Sequence, residues 1–171
     1  MKSHSMKLSE FKAGETVFID ANIFIYHFTG VSEDCTLFLK RCEEGDLTGV
    51  TGMNILIEVL HRLMMIEAVT KGFAKPGDVA KKLKKEPDVV RKLTDYETNT
   101  LSIMDIGIEL LPISEDTIKS SFQYRRKYGL LVNDSLTTAM MDLEGIINLA
   151  TMDKDFLRVE GIRFYGPQDV I

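Results

Sequence analysis

The chain has 171 residues, 44% of them apolar and 27% charged, with a formal net charge of -5. This suits one globular domain able to bury roughly two-thirds of its unfolded surface, and it excludes a strongly basic nucleic-acid coat while leaving room for a local basic patch. No apolar run approaches the roughly 20 residues of a spanning helix and the N-terminus carries no apolar signal core, so the expected location is the cytoplasm, away from membranes.

Residues 1–10 read as a flexible leader, and 11–171 as a single domain. The first strand is expected at Thr16 to Ile19, within the run VFIDANIFIY of Val17 to Tyr26. A short continuous apolar run suits a buried parallel strand, and an acid directly after it sits at the sheet edge where open α/β folds place their sites. Asp20 is therefore a first functional candidate. Asp and Asn also cap helices well, so capping by Asp20 or Asn22 stands beside that reading.

A short helix follows over Ala21 to Phe28, then a second, capped by Ser32 and stopped by Gly45. Cys35 and Cys42 fall seven residues apart on it, about 10 Å along the axis, too far to bridge, so both are expected as buried thiols on one face. A second strand is expected at Leu47 to Thr51, with Asn54 opening a longer helix to near Gly72. On that helix Glu58 shares a seam with Asn54, His61 and Arg62, opposite Leu56, Val59, Leu60 and Leu63; Glu58 and Arg62 also make an ordinary i,i+4 pair.

The composition then shifts. Lysines and arginine from Lys71 to Lys92 crowd around Pro76 and Pro87, which marks a helical insertion over about 70–106 with Asp78 and Asp88 as expected N-caps. A helix is expected to continue through Val89 to Gly107 with Val90, Leu93, Leu101 and Met104 inward. Ile108 to Ile113 reads as a strand, Ser114 to Tyr128 as a helix closed by Gly129, and Asp134 to Glu144 as a helix capped by Asn133. Asp134, Thr137, Thr138 and Met141 fall on one side of that helix, which as the polar side is expected to face solvent or a cleft. Asn148 to Thr151 and Arg163 to Tyr165 complete the strands. Strands separated by helices give an α/β three-layer sandwich: a central parallel sheet with helices on both faces.

The blocks FIDANIFIY, NILIEVLHRLM, VNDSLTTAMM and LATMDKDF, in that order, resemble those of PIN-domain nucleases, especially the VapC toxins of type II toxin-antitoxin systems. The resemblance spans about Val17 to Phe156. It implies that Asp20, Glu58, Asp134 and Asp153 bind catalytic metal, that Thr151 and Asp155 support them, and that Asn22 orients a ligand. It implies a homodimer, an antitoxin whose tail enters the acidic cleft, and an RNA substrate; a cellular RNA-processing relative is the neighbouring alternative.

Chemistry gives the same acids a use. Converging carboxylates repel, some of their pKa values should rise, and one or two Mg²⁺ or Mn²⁺ ions suit an oxygen-only donor set. Such ions assist in-line hydrolysis of a phosphodiester, leaving a 5′-phosphate and a 3′-hydroxyl. Arg125, Arg126 and Lys127, beside Tyr124 and Tyr128, are the expected substrate contacts, with Lys81, Lys82, Lys84 and Lys85 as a second cationic patch. His4, His27 and His61 are too isolated for a histidine acid/base pair, and no Gly-rich dinucleotide loop is present. Two rivals remain, an aspartyl-phosphate module and a non-catalytic PIN scaffold; the first would want an acid where the chain has Asn22.

Overall fold

The structure, a computed structural model, describes residues 5–170. Its sheet contains β1 (Met6–Lys7), β2 (Thr16–Ile19), β3 (Thr48–Gly52), β4 (Glu109–Leu111), β5 (Asn148–Ala150) and β6 (Arg163–Gly166). All pairings are parallel, in the order β1-β6-β5-β2-β3-β4. Val17, Phe18 and Ile19 are fully buried, as a central strand covered on both faces must be.

Among the described residues there are eight α-helices: α1 (Ala21–Phe28), α2 (Glu33–Glu43), α3 (Met53–Thr70), α4 (Val79–Lys85), α5 (Pro87–Val90), α6 (Asp95–Asp105), α7 (Glu115–Tyr128) and α8 (Val132–Leu143). This is the expected α/β architecture with a parallel sheet. The chain steps from β2 outward to β3 and β4, then returns across the sheet to β5 on the other side of β2. The order therefore reverses between β2 and β5, and open α/β sheets form their crevice at the carboxyl ends of such a strand pair. The register Phe18↔Leu149 and Ile19↔Ala150 brings Asp20 and Thr151 out of the sheet side by side.

Several expectations are corrected. Of the expected leader over residues 1–10, residues 1–4 lie outside the described residues, but Met6 and Lys7 pair with Tyr165 and Gly166 and Leu8 is 2% exposed. This segment adds a sixth strand and belongs to the domain. No continuous helix runs through Val89 to Gly107, because Pro87 starts a separate short α5 and residues 91–94 break before α6. On α6 the inward positions are Thr100 and Ile103, not Leu101 and Met104, which are exposed. Asp88 lies inside α5, where it pairs with Arg91, and Glu86 takes the cap position.

The cysteines behave as expected: Cys35 and Cys42 are buried and free. Burial pushes their thiols up to about 11 and about 12, so neither is a reactive thiolate near neutral pH. A second small core of Ala68, Val79, Leu83, Val89 and Leu93 lies beneath α4 and α5. Among the described residues no helix is long and apolar enough to cross a membrane.

Candidate metal-binding acidic site

Asp20 ends β2 and caps α1, so the capping and site readings describe one residue. Its Oδ1 accepts from the Ala21 amide at 2.8 Å, and its Oδ2 accepts from Asn22 Nδ2 at 3.0 Å and from the Thr151 hydroxyl at 2.6 Å. Asn22 Oδ1 in turn accepts from the Met152 amide at 3.1 Å. Asn22 and Thr151 thus stitch the end of β2 to the loop after β5.

That loop organises itself around its own acids. Thr151 Oγ1 accepts from the Asp153 amide at 2.9 Å, and Asp153 Oδ1 accepts from the Asp155 amide at 2.8 Å, capping a 3-10 turn over Lys154–Arg158. Asp155 is ion-paired with Arg158, whose other nitrogen donates to the Gly129 carbonyl at 3.4 Å. Gly129 closes α7 at φ 67°, a left-handed backbone that favours glycine. A cavity of about 300 Å³ opens beside Asp153 between Met152, Leu157, Phe164 and Pro167.

Glu58 reaches the site through two helices. Asn54 and Glu58 lie four residues apart on α3, as do Asn133 and Thr137 on α8, so each pair presents two side chains from one face. Asn54 Nδ2 donates to Asn133 Oδ1 at 2.9 Å and to Thr137 Oγ1 at 3.1 Å, while Asn133 Nδ2 donates to Glu58 Oε2 at 2.6 Å. Arg62 also reaches Glu58, at 3.4 Å. The backbone before α3 must come close for this: a Cβ at Gly52 would stand 2.3 Å from Asn54 Oδ1 and 2.6 Å from Met140 Sδ.

Two expectations on α8 change here. Leu131, not Asn133, occupies its cap position, and Asn133 lies inside the first turn, bonded to Glu58. Of the two surroundings expected for the polar side of α8, solvent or a cleft, Asp134 meets the second, among Asp153 and Asp155, while Thr137 and Thr138 are buried. Thr137 is taken up by Asn54, and the Thr138 hydroxyl donates to the Asp134 carbonyl at 2.9 Å. Asn54 and Asn133 were not singled out as site residues in the sequence. The usable signal was Asn54 one helical turn before Glu58 and Asn133 directly before Asp134.

Carboxylate oxygens of Asp134, Asp153 and Asp155 all lie within 4.8 Å of one another. Asp20 and Glu58 stand outside that tightest triad yet act on it electrostatically. Asp134 is raised to about 6, first by burial and then by Asp153, Asp20, Asp155 and Glu58. Asp20, 7% exposed, is raised to about 6 chiefly by burial, against the Thr151 and Ala21 hydrogen bonds and with Glu58 and Asp153 adding to the rise. An oxygen-only donor set this crowded fits a hard divalent cation of the Mg²⁺ or Mn²⁺ class. Among the described residues Asp134 is the member of the five with no hydrogen-bond donor on its carboxylate.

The run Arg125, Arg126, Lys127 is partly spent within the protein. Arg125 donates to Ser121 at 3.1 Å and lies 4.8 Å from the Phe122 ring centroid; Lys127 pairs with Glu160 at 2.9 Å. Arg126 is exposed and makes no ion pair among the described residues.

Known proteins resemble this chain over most of its length. The chain is 30% identical over 149 residues to Ribonuclease VapC2 of Methanocaldococcus jannaschii, covering 84% of this chain and 89% of that protein. It is 28% identical over 151 residues to Ribonuclease VapC6 of the same organism, covering 85% and 94%. Among solved structures, VapBC2 of Rickettsia felis bound to a promoter DNA fragment superposes with a TM-score of 0.59 at 16% identity, covering 90% of this chain and 99% of that one. A toxin-antitoxin complex from Klebsiella pneumoniae gives 0.55 at 20% identity, covering 85% and 94%. The PIN domain profile matches residues 17–162, from the start of β2 to the edge of β6, and the chain belongs to the PIN domain family.

Proposed function

We propose that this protein is a divalent-metal-dependent endoribonuclease of the VapC kind, with Asp20, Glu58, Asp134, Asp153 and Asp155 forming its active centre. The observation that carries the reading is the convergence of Asp134, Asp153 and Asp155 at the β2/β5 switch point, with Asp134 raised to about 6. The ribonuclease names of its relatives supply the substrate class.

In hydrolysis to a 5′-phosphate and a 3′-hydroxyl, a water oxygen bonds to phosphorus as the phosphorus–O3′ bond breaks. The water loses a proton and O3′ gains one. A bound Mg²⁺ or Mn²⁺ would supply the positive charge that draws the substrate phosphate to the acids and stabilises the negative charge of the transition state. Asp134, Asp153 and Asp155 would hold it, with Glu58 and Asp20 contributing charge from the rim. Asn133 and Asn54 keep Glu58 aimed, and Asn22 and Thr151 keep Asp20 aimed. The carboxylate of Asp134 has no protein donor to give up, so it is suited to meet the ion directly. Arg126 is the member of its run left free for a flanking phosphate.

The partners follow the same reading: an antitoxin, as in the toxin-antitoxin complexes with this fold, a homodimeric toxin, and RNA met in the cytoplasm. The test is cleavage of a mixed structured-RNA pool in Mg²⁺, Mn²⁺ or EDTA by the wild type, Asp20→Asn and Asp134→Asn. Metal-dependent cutting with 5′-phosphate ends, lost in both variants, is the expected result. Cutting that survives EDTA or either substitution would remove the assignment.

A further inference from the structure

Residues 71–92 carry eight cationic and three anionic side chains, net +5, in a chain of formal charge -5, so the remainder of the protein carries -10. Charge is therefore segregated: a basic insertion is mounted on an acidic body whose candidate active centre is itself a cluster of acids. Within the insertion two of the three acids, Glu86 and Asp88, are taken up by neighbours, and Asp78 makes no ion pair among the described residues. Lys71 is paired with Glu67 and Asp95, Lys82 with Glu86, and Arg91 with Asp88. Lys75, Lys81, Lys84, Lys85 and Lys92 are exposed and make no ion pair among the described residues.

The insertion holds those lysines on an ordered support. Val79 and Leu83 of α4 are buried in the second small core. Lys81, Lys84 and Lys85 lie on the opposite side of the same helix, within about 100° of one another. Glu67, 7% exposed near the end of α3, accepts from Lys71 Nζ at 2.6 Å and from the Thr94 and Tyr96 amides at 2.9 Å each. Burial pushes this carboxyl up, but the three donors outweigh it and hold it below its ordinary value. One buried carboxylate thus ties both ends of the insertion to α3. Since α3 also carries Glu58, about 13 Å along the helix axis from Glu67, the insertion and one of the acids are mounted on the same helix.

We propose that this insertion is a phosphate-binding platform for the RNA strand, engaging nucleotides several positions away from the bond that is cut. The proposal rests on the ribonuclease reading and extends it. An acid-lined cleft repels a polyanion, so productive approach needs cations outside the cleft, and among the described residues these five lysines are the largest unneutralised group in one segment. Lysines are compact point charges that suit phosphates in irregular positions. Around them the one aromatic contact is Lys92 over Phe73 at 5.8 Å, so the platform grips the backbone without reading bases. It raises affinity for long strands and leaves the choice of cleavage site to the acidic centre.

The test uses the full chain with Lys81→Gln, Lys84→Gln and Lys85→Gln combined, and separately Lys75→Gln with Lys92→Gln as a second variant. Binding of a fluorescent 20-nucleotide RNA is measured in EDTA across a salt series, and cleavage of a trinucleotide in Mn²⁺ is measured alongside. Each lost single-strand phosphate contact lowers the slope of log affinity against log salt by about 0.7, so the triple variant should lose about 2 and the double variant about 1.4. Trinucleotide cleavage should stay at the wild-type rate. An unchanged slope in both variants, with the wild type binding RNA, overturns the platform alone. If instead the variants lose binding of polyglutamate while RNA binding holds, the surface receives an acidic polypeptide and the RNA assignment falls. A wild type that neither binds nor cuts RNA overturns the ribonuclease reading and this proposal with it.

Discussion

Replacing Asp134 by Asn should stabilise the metal-free protein while abolishing its function. The Asp134 carboxyl accepts no hydrogen bond among the described residues, so an amide of the same shape removes charge without removing a bond. A carboxyl raised from 3.8 to about 6 carries on the order of 3 kcal/mol of destabilisation at full strength once ionised. Asp134 is half-exposed, and solvent screening reduces the expected gain to about 1 kcal/mol. For a domain of this length that corresponds to a rise in Tm of about 2–4 °C.

The sign with pH separates this from a generic packing effect. Because the folded state holds the Asp134 proton more tightly than the unfolded chain does, the penalty is absent below about 3.8, grows as pH rises through the window to about 6, and is complete above it. Thermal unfolding of wild type and Asp134→Asn in EDTA at pH 4 and pH 7.5 is the assay. The variant should melt higher at pH 7.5 and alike at pH 4, and added Mn²⁺ should raise the wild type's Tm alone. A lower Tm for Asp134→Asn at pH 7.5, or a gain of equal size at both pH values, would refute the claim that crowding of like charges sets the cost of this site.

Three more outcomes follow from the same geometry. Mn²⁺ affinity, measured by titration calorimetry, should fall on the order of 10-fold or more from pH 7 to pH 5, because Asp134, raised to about 6, must give up a proton to hold the ion and Asp20, also raised to about 6, loses its rim charge over the same range; a flat profile would mean neither takes part. Asn133→Ala should cost about 1–2 kcal/mol in urea unfolding and weaken Mn²⁺ binding about tenfold or more by releasing Glu58, with the stability loss arising because the buried Asn54 amide loses the Asn133 side-chain oxygen and keeps the Thr137 hydroxyl. Leu8→Ala should cost about 2–4 kcal/mol, since Leu8 is 2% exposed in the main core; a loss under about 0.5 kcal/mol would return residues 6–10 to the status of a leader.

The legible parts of the sequence were those where one physical demand acts on a run of residues. Val17 to Ile19 had to be apolar on both faces because β2 lies in the middle of a parallel sheet, and the acid after it then stood out. The β1 segment offered no such run: two residues, Met6 and Lys7, are held by pairing with β6 and by burial of Leu8, which no local pattern announces. Asp20 and Asp153 could be seen to follow strands, but their proximity depended on strand order, which local residues do not encode. On α8 the polar threonines misled for a definite reason. A buried hydroxyl is tolerated when it is bonded, and Thr137 and Thr138 find partners in Asn54 and in the Asp134 carbonyl. Asn133 was misread likewise, since an Asn near a helix start caps in most settings and here bonds a carboxylate on another helix instead.

What separates this cluster from a chance gathering of surface acids is how its members are held. Four of the five carboxylates accept from the protein itself: Asp20 from Thr151, Asn22 and Ala21, Glu58 from Asn133 and Arg62, Asp153 from the Asp155 amide, and Asp155 from Arg158. Left to their repulsion alone these groups would turn outward to water. Donors drawn from α1, α3, α8 and the segment after β5 keep them converged without a cation, so the ordering cost is met during folding and binding gains what it would otherwise lose. Asp134 needs no such donor because the first turn of α8 fixes its backbone, and its carboxylate stays free to meet an ion. The Asn133–Glu58 bond is therefore the most informative contact to break: it is the one that joins α8, which carries Asp134, to a second acid, and its loss should lower metal affinity more than global stability accounts for.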